Sequence, residues 1–263
     1  MTELLAPAKL NLTLVVGPMR TDGRHEVATV LQRISLADRI RLEPADELRV
    51  EGFAEDTLVR RALETLAAAA GAEPRWRIEI DKQIPVAAGL GGGSSDAGAA
   101  LRLANETLPR PLDDAALREL AAQLGADVPF FLTGGPQLGE GDGTTLQPLS
   151  LPQDYWILLL VPHGERKTST AAVYEGFGGE DGFAERRAAL LGALALGDLA
   201  ALPPNDLASS PFADELRSLG AFRADVSGAG PTVYGLFAEQ GEALRAHAAL
   251  AERGRAWIAT PGW

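Results

Sequence analysis

Alternation between apolar and polar positions predicts strands at several places in this chain. Residues 8–16 are rich in β-forming types and end at a Gly-Pro turn. Residues 27–43 contain two such stretches, with a predicted break around 36–38. Trp76, Ile78 and Ile80 alternate with Arg77 and Glu79, which is the period of a half-buried strand. Further strands are predicted at 155–161 and 232–237.

Helical spacing of apolar residues predicts helices between these strands. From Asp56 to Ala70 the apolar positions Leu58, Ala62, Leu66 and Ala69 recur at helical intervals, and Gly71 follows as a stop. An Ala/Leu-rich helix is predicted up to about Leu108, and Asp113 is placed to cap another that Gly125 ends. Helices interspersed with strands over 263 residues predict an α+β or α/β fold in two halves.

A polar, proline-containing segment, 148–154, is the predicted boundary between those halves. The prediction is therefore an N-terminal domain over 1–148 and a C-terminal domain over 154–263.

Net charge and composition limit which classes of partner and which chemistry are expected for this chain. The formal net charge is -12, so binding to nucleic acid or to an anionic membrane is disfavoured. No cysteine is present, which removes disulfides and thiolate chemistry. No run reaches the roughly 18 apolar residues that span a bilayer, and residues 1–10 lack the basic start of a signal peptide. We expect a cytoplasmic protein, with no protein partner implied.

The most unusual stretch is Gly89-Leu90-Gly91-Gly92-Gly93-Ser94-Ser95, which follows Pro85. Glycines let a backbone approach a ligand, and the start of the helix after them presents unpaired amides and a positive dipole end. This combination can bind phosphates without basic side chains. A Walker loop is excluded because no lysine follows, and the spacing fails for a dinucleotide fingerprint. A flexible glycine turn is the alternative.

Three single residues are candidates for chemistry. Lys9 is one of only three lysines and lies inside an apolar strand, where a snorkelling edge lysine is the alternative. Asp127 lies just past a helix end among apolar residues and could accept a hydroxyl proton or cap the next turn. His25 follows a turn and could direct a ring nitrogen at a ligand or stay exposed.

No metal site is predicted. The three histidines do not form a zinc pattern. The loop 139–144 carries oxygen ligands, but it lacks the spacing and the terminal glutamate of a calcium loop.

Together these stretches resemble the GHMP small-molecule kinases. Pro7-Ala8-Lys9-Leu10-Asn11-Leu12 resembles their first motif, 85–97 resembles the phosphate-binding second motif, and 226–233 resembles the third. The triple glycine, Asp22-Gly23-x-His25 and 124–131 resemble the branch that acts on a cytidine diphosphate-linked methylerythritol. The resemblance runs from about Leu5 to about Phe237.

The resemblance implies a two-domain α+β GHMP kinase fold with the active site in the cleft between domains. It implies transfer of the γ-phosphoryl group of ATP, with Mg²⁺ bridging the phosphates, to the 2-hydroxyl of that substrate in the non-mevalonate isoprenoid pathway. Asp127 would be the base or hydroxyl-orienting carboxylate, Lys9 would stabilise it and the moving charge, and Asn11 would support the hydroxyl. The ATP-binding residues would be Pro85, Gly89, Leu90, Gly91, Gly92, Gly93, Ser94 and Ser95. His25 would read the cytosine edge, and Tyr174 would stack on that base.

The sequence departs from this pattern at two positions. Arg24 stands where the family commonly has tyrosine, and a guanidinium plane can stack on a base as well. Thr144 stands where many members have glutamate, which leaves Asp142 or Glu140 as weak replacements.

Three alternatives remain open at this level. One is a GHMP kinase acting on mevalonate, homoserine or a sugar, and another is a catalytically silent nucleotide or metabolite sensor. A structural or RNA-binding module is disfavoured by the net charge.

Overall fold

The computed structural model describes residues 2–53, 57–165, 170–178 and 181–262. Asp56, where the first predicted helix starts, lies outside these ranges. The chain divides into two compact units, each assembled from separate segments. The first unit comprises Met1–Ala8, Leu36–Val86 and Gly91–Gly134, and the second comprises Lys9–Ser35, Ala87–Leu90 and Gly135–Trp263. The domain boundary at 148–154 stays a prediction.

Both strands and helices occur throughout the described residues, as an α+β fold requires. The strands are β1 Thr2–Met19, β2 His25–Pro44, β3 Arg49–Glu51, β4 Trp76–Asp81, β5 Gln137–Gly141, β6 Thr145–Pro148, β7 Trp156–Pro162, β8 Arg223–Val226, β9 Val233–Phe237 and β10 Gly254–Ala259. The helices are α1 Thr57–Ala70, α2 Gly92–Thr107, α3 Asp114–Leu124, α4 Thr170–Glu175, α5 Phe183–Leu196, α6 Pro211–Ser218 and α7 Gln240–Ala249, with a 3₁₀ helix at Pro129–Leu132.

The first unit packs helices α1, α2 and α3 with strands β3 and β4 and with the later residues of β2. Strand β4 pairs antiparallel with β2, where Ile40 lies opposite Ile80, and parallel with β3. The alternation predicted for β4 is confirmed, since Trp76, Ile78 and Ile80 are all buried. These side chains join the buried faces of the three helices in one apolar core.

Helix α1 is confirmed, but its buried face is rotated from the predicted one. Ala69 is exposed and Leu58 half-buried, whereas the core side is formed by Val59, Ala62, Leu63, Leu66 and Ala67. The alanines on both sides of the helix made the face ambiguous in the sequence, because alanine packs equally well in a core and at a surface.

The break predicted near 36–38 is wrong, because β2 is one continuous strand of 20 residues. Asp38, which lies at the predicted break, is fully buried. Its carboxylate accepts hydrogen bonds from the backbone amides of Gln83 and Ile84 at 2.5 and 2.8 Å. A partnered carboxylate of this kind can lie inside a sheet without ending the strand.

The second unit contains an antiparallel sheet in the order β10-β7-β9-β8. The predicted apolar run became its inner strand β7, which pairs with β10 on one side and β9 on the other. Helices α6 and α7 contribute Leu216, Ala243 and Ala246 to a core that includes Leu158, Leu160 and Phe237 of that sheet. The early residues of β2 pair with β5, which forms a hairpin with β6.

None of the helices in the described residues is long and apolar enough to cross a membrane.

Candidate active site

The glycine-rich stretch turns directly into helix α2. Gly89 and Gly91 both have positive φ, 81° and 69°, a conformation that favours glycine. Gly91 is the N-cap, and the first intrahelical bond runs from the Ser95 amide to the Gly91 carbonyl at 2.9 Å. The helix begins at Gly92, inside the glycine run, whereas the sequence predicted its start after the glycines. Its geometry therefore leaves the amides of residues 91–94 without partners inside the helix.

The carbonyl groups of Ala88, Gly89 and Leu90 all accept hydrogen bonds from other residues of the second unit, to which they belong. The Ala88 carbonyl accepts from the Thr232 hydroxyl at 2.6 Å, and the Gly89 carbonyl accepts from the Ser227 hydroxyl at 3.0 Å. The Leu90 carbonyl accepts from the Lys9 amide at 2.9 Å. Three successive carbonyl oxygens therefore accept hydrogen bonds within the protein. These bonds fix the path of the backbone that leads into the glycine loop.

The other predicted ATP-binding residues differ in exposure. Pro85 and Ser94 are half-buried, Leu90 is buried, and Gly93 is exposed, with open space where a Cβ would stand. Ser95 is 1% exposed, and its hydroxyl donates to the Pro7 carbonyl at 2.7 Å. Because its amide is also engaged in the helix, both Ser95 donors have partners within the protein.

Lys9 and Asn11 form a buried polar chain on strand β1. The Lys9 ammonium donates to Asn11 Oδ1 at 2.5 Å, and Asn11 Nδ2 donates to the Thr29 hydroxyl at 2.8 Å. Lys9 is only 4% exposed, so the alternative of a snorkelling edge lysine is wrong. A cation held this far from water interacts strongly with any anion brought to it.

Asp127 lies in a turn between α3 and the 3₁₀ helix. Helix α3 begins as predicted, with the Asp113 carboxylate accepting from the Ala116 amide, and Gly125 follows its last residue. The cap position of the 3₁₀ helix belongs to Val128, so Asp127 does not occupy it. The Asp127 side chain is half-buried, with the buried residues Val128 and Phe130 next along the chain.

His25 and Tyr174, two candidates far apart in the sequence, lie together in the second unit. Their ring centroids are 5.8 Å apart, and Phe177 makes an edge contact with His25 at 5.9 Å. His25 is 7% exposed, so the alternative of an exposed turn histidine is wrong. Its Nδ1 lies 2.8 Å from the Gly17 carbonyl, which can only accept, so Nδ1 carries the proton. In the neutral ring Nε2 is then an acceptor.

Phe177 was missed in the sequence, although its spacing three residues after Tyr174 is a helical interval that could have indicated it.

The two departures from the family pattern meet at one carboxylate. Arg24 pairs with Asp142 at 2.5 Å, and the same carboxylate accepts from the amide and the hydroxyl of Thr144. Hydrogen bonds from Thr144 and Arg24 outweigh burial and lower the pKa of the Asp142 carboxyl. The other replacement considered, Glu140, accepts from Arg187 at 2.8 Å. Asp142 and Glu140 are thus both engaged by protein donors.

Within the ranges 2–53, 57–165, 170–178 and 181–262 no cluster of three histidine or acidic side chains could hold a metal ion. A magnesium ion held by protein ligands alone does not fit those residues. Mg²⁺ commonly binds to substrate phosphates with only one or two carboxylates, so it could still enter with a nucleotide.

One buried ionic cluster was not predicted. Lys82 lies 2.6 Å from carboxylate oxygens of both Asp38 and Asp96. The sequence feature that could have indicated this cluster is the rarity of lysine, since Lys82 is one of only three lysines in the chain.

Family models match both parts of the chain. The model described as "GHMP kinases N terminal domain" matches residues 57–135, and the one described as "GHMP kinases C terminal" matches residues 183–256.

A relative from Pelotomaculum thermopropionicum is named 4-diphosphocytidyl-2-C-methyl-D-erythritol kinase. It is 42% identical over 259 residues, which cover 89% of this chain and 88% of that protein. The chain belongs to the 4-diphosphocytidyl-2-C-methyl-D-erythritol kinase family. It is accordingly an ATP-dependent kinase with the two-domain α+β fold of the GHMP kinases.

Solved structures agree with this assignment. A crystal structure of 4-(cytidine 5'-diphospho)-2C-methyl-D-erythritol kinase matches all of this chain and all of its own, with a TM-score of 0.84 and 36% identity. Homoserine kinase from Cytophaga hutchinsonii matches 98% of this chain and 94% of its own with a TM-score of 0.77, but at 17% identity it shows only the fold.

Proposed function

We propose that this kinase of the 4-diphosphocytidyl-2-C-methyl-D-erythritol kinase family transfers the γ-phosphoryl group of ATP to the 2-hydroxyl of 4-diphosphocytidyl-2-C-methyl-D-erythritol. That reaction belongs to the non-mevalonate route to isoprenoid precursors. The observation that best supports this acceptor is the contact between the buried His25 ring and the half-buried Tyr174 ring. A substrate without a base, such as mevalonate or homoserine, has no use for an aromatic pocket with a ring acceptor.

The pairing suits cytosine in particular. A cytosine edge presents an exocyclic amine, which donates, and His25 Nε2 is an acceptor once Nδ1 is committed to Gly17. Tyr174 offers a ring face on which the base can stack. The contact with the amine requires Nε2 to be the nitrogen without a proton, which is what the Nδ1 contact to Gly17 provides.

For the nucleotide, we propose that the amides of residues 91–94 bind the phosphates. Four amides left without helical partners at the positive end of a 16-residue helix suit an anionic ligand. The exposed position of Gly93, with open space where a Cβ would stand, leaves the backbone accessible. Mg²⁺ would be brought by the phosphates and would offset their charge. Ser95 would support the loop by holding it to Pro7.

In the transfer step the 2-hydroxyl oxygen forms a bond to the γ-phosphorus, and the bond from that phosphorus to the β–γ bridging oxygen breaks. We propose that Asp127 accepts the hydroxyl proton and that ADP leaves. Lys9 would stabilise the charge that moves in this step, and Asn11, which binds the Lys9 ammonium, would position it.

We further propose that the enzyme acts in the cytoplasm on this small molecule, without a nucleic acid, membrane or protein partner. The acidic composition supports the exclusion of nucleic acid and anionic membranes.

The test is ATP consumption with 4-diphosphocytidyl-2-C-methyl-D-erythritol, mevalonate and homoserine in parallel, with the product identified by phosphorus NMR. We expect turnover only with the cytidine substrate, and inhibition by cytidine diphosphate. Preferred turnover of mevalonate or homoserine would contradict the proposal. Nucleotide binding without turnover of any of the three would favour a sensor.

A further inference from the structure

A half-buried lysine lies between two fully buried carboxylates next to the start of helix α2. The Lys82 ammonium is 2.6 Å from Asp38 Oδ2 and 2.6 Å from Asp96 Oδ2, and both aspartates are fully buried. Phe53 covers the ammonium, with its ring centroid 5.7 Å away. The second oxygen of Asp96, Oδ1, is buried without a hydrogen-bond partner. Burying ionic groups costs desolvation free energy, so we ask what this arrangement does for the structure around it.

The cluster joins three segments of the first unit. Asp38 belongs to β2 and also binds the amides of Gln83 and Ile84, which follow Lys82 and lead to Pro85. Asp96 belongs to the second turn of α2. Gly92, the first residue of that helix, packs so closely that a Cβ there would lie 3.3 Å from the Lys82 ammonium and 3.1 Å from Ile84.

We propose that Lys82 is a positioning residue for the phosphate loop, acting through Asp38 and Asp96 to fix the first turn of α2. The inference rests on the proposed function in one respect, namely that the amides at this helix start bind the nucleotide. Lys82 itself does not touch the phosphates in this account. Its role is to hold Gly92 and the turn around it at one place relative to strand β4.

The charge state of Asp96 gives the proposal a distinctive signature. Burial, and after it the charge of Asp38, raise the pKa of the Asp96 carboxyl to about 8, although Lys82 acts in the opposite direction. Burial lowers the pKa of the Lys82 ammonium, but the two carboxylates more than reverse this and raise it. Near neutral pH Lys82 therefore stays a cation, and Asp96 is a neutral acid.

The other elements that pack against α2 are the 3₁₀ helix, α1 and β4, and they have no fully buried titratable side chain. The 3₁₀ helix at Pro129–Leu132 has no titratable side chain. Helix α1 and strand β4 carry theirs mostly on exposed positions, with one half-buried: Arg60, Arg61, Glu64, Arg77, Asp81 and the half-buried Glu79. Loss of the Asp96 proton therefore adds a negative charge close to the helix start that is proposed to receive phosphates. ATP affinity should fall as the pH rises through about 8, since like charges repel.

The same group affects stability. Because the folded-state pKa of Asp96 lies above its ordinary value, its contribution to stability is complete at low pH and is lost as the pH rises through about 8. Asp96→Asn keeps the size of the side chain but removes the titration.

The experiment compares wild type, Asp96→Asn, Lys82→Met and Lys82→Arg, with Asp81→Asn as a control on an exposed neighbour. The readouts are kcat, the KM for ATP, and calorimetric binding of a non-hydrolysable ATP analogue between pH 6.5 and 9. We expect Lys82→Met to raise the KM for ATP about tenfold with kcat changed less than about threefold, and Lys82→Arg to recover most of the affinity. Asp81→Asn should match wild type throughout.

Asp96→Asn should match wild type within about twofold at pH 7 and bind the analogue several-fold more tightly than wild type at pH 9. Superimposable profiles for these two proteins would overturn the proposal, as would a Lys82→Met protein that melts earlier but binds ATP normally. If Lys82→Met fails to fold, the Asp96→Asn comparison decides. Failure of the proposed function is distinguishable, because wild type would then bind the analogue without transferring phosphate to the cytidine substrate.

Discussion

The glycine loop and the His25 pocket, formed by His25, Tyr174 and Phe177, are proposed to bind their ligands through different kinds of groups. The loop offers backbone amides at the start of α2, and its path is set by hydrogen bonds to three successive carbonyls. The pocket offers side chains, namely the His25 ring with Tyr174 and Phe177 around it. Binding by backbone amides is weakened by any side-chain atom added at a glycine of the loop. Binding by side chains changes according to which group a substitution removes.

The largest effect is expected from Gly89→Ala. A Cβ at this position would collide with the Ser227 carbonyl and lie 2.9 Å from the Gly230 carbonyl, at a φ of 81°. Since backbone atoms cannot move aside cheaply, we expect turnover to fall by about a hundredfold or more and unfolding to become easier by about 1–3 kcal/mol. Steady-state kinetics and thermal denaturation check both.

The matched control is Gly93→Ala, where a Cβ meets nothing. This variant should fold as stably as wild type or better, because alanine favours helix by about 1 kcal/mol. Its KM for ATP should rise, since the methyl group stands where phosphate approaches the backbone. Equal damage from both substitutions would contradict the distinction between the two glycines.

In the pocket, His25→Phe should raise the KM for the cytidine substrate by about tenfold to a hundredfold through loss of the Nε2 acceptor. The phenyl ring keeps the packing against Tyr174, so the KM for ATP should stay near that of wild type. Measuring both constants in one protein separates the pocket from the loop. A rise in both would show that the two regions are not independent.

Removing one support of the loop should have a smaller effect. Thr232→Val is nearly isosteric and deletes the hydroxyl that donates to the Ala88 carbonyl at 2.6 Å. One buried hydrogen bond is worth about 1 kcal/mol, so we expect a few-fold rise in the KM for ATP and a slightly lower melting temperature. An unchanged KM would mean that the loop keeps its path without this bond.

The smallest effect is expected from Arg24→Ala. The Arg24 side chain is 54% exposed, and its ion pair with Asp142 lies in high dielectric. The melting temperature should move by about a degree or less, and the KM for the cytidine substrate by less than about threefold. A tenfold or larger rise in that KM would show that the guanidinium contacts the base.

The two regions also differed in how far the sequence could predict them. The glycine loop was predictable because its chemistry depends on residue types that are adjacent in the chain. Only the helix start was misplaced, because Gly92 and Gly93 are poor helix formers that nevertheless begin α2. The contacts from Ser227 and Thr232 were not predictable, since they join residues more than 130 positions apart.

The pocket was predictable only through the family resemblance, which paired His25 with Tyr174. No local pattern indicates that two residues 149 positions apart share a pocket. The Lys82 cluster could not be predicted from the sequence either. The strand was predicted to break at Asp38, because the sequence does not show that Lys82 and the Ile84 amide bind its carboxylate. Periodicity reports which face is apolar but not where a buried charge finds its counter-charge.

The central claim is that this chain is a kinase of the cytidine substrate with Asp127 as its proton acceptor. It is tested most directly by the turnover of 4-diphosphocytidyl-2-C-methyl-D-erythritol by wild type and by Asp127→Asn. The account predicts wild-type turnover and a loss of about a hundredfold or more in kcat for the variant, with ATP binding retained. An Asp127→Asn enzyme as fast as wild type would contradict the proposed mechanism, and no wild-type turnover would contradict the substrate.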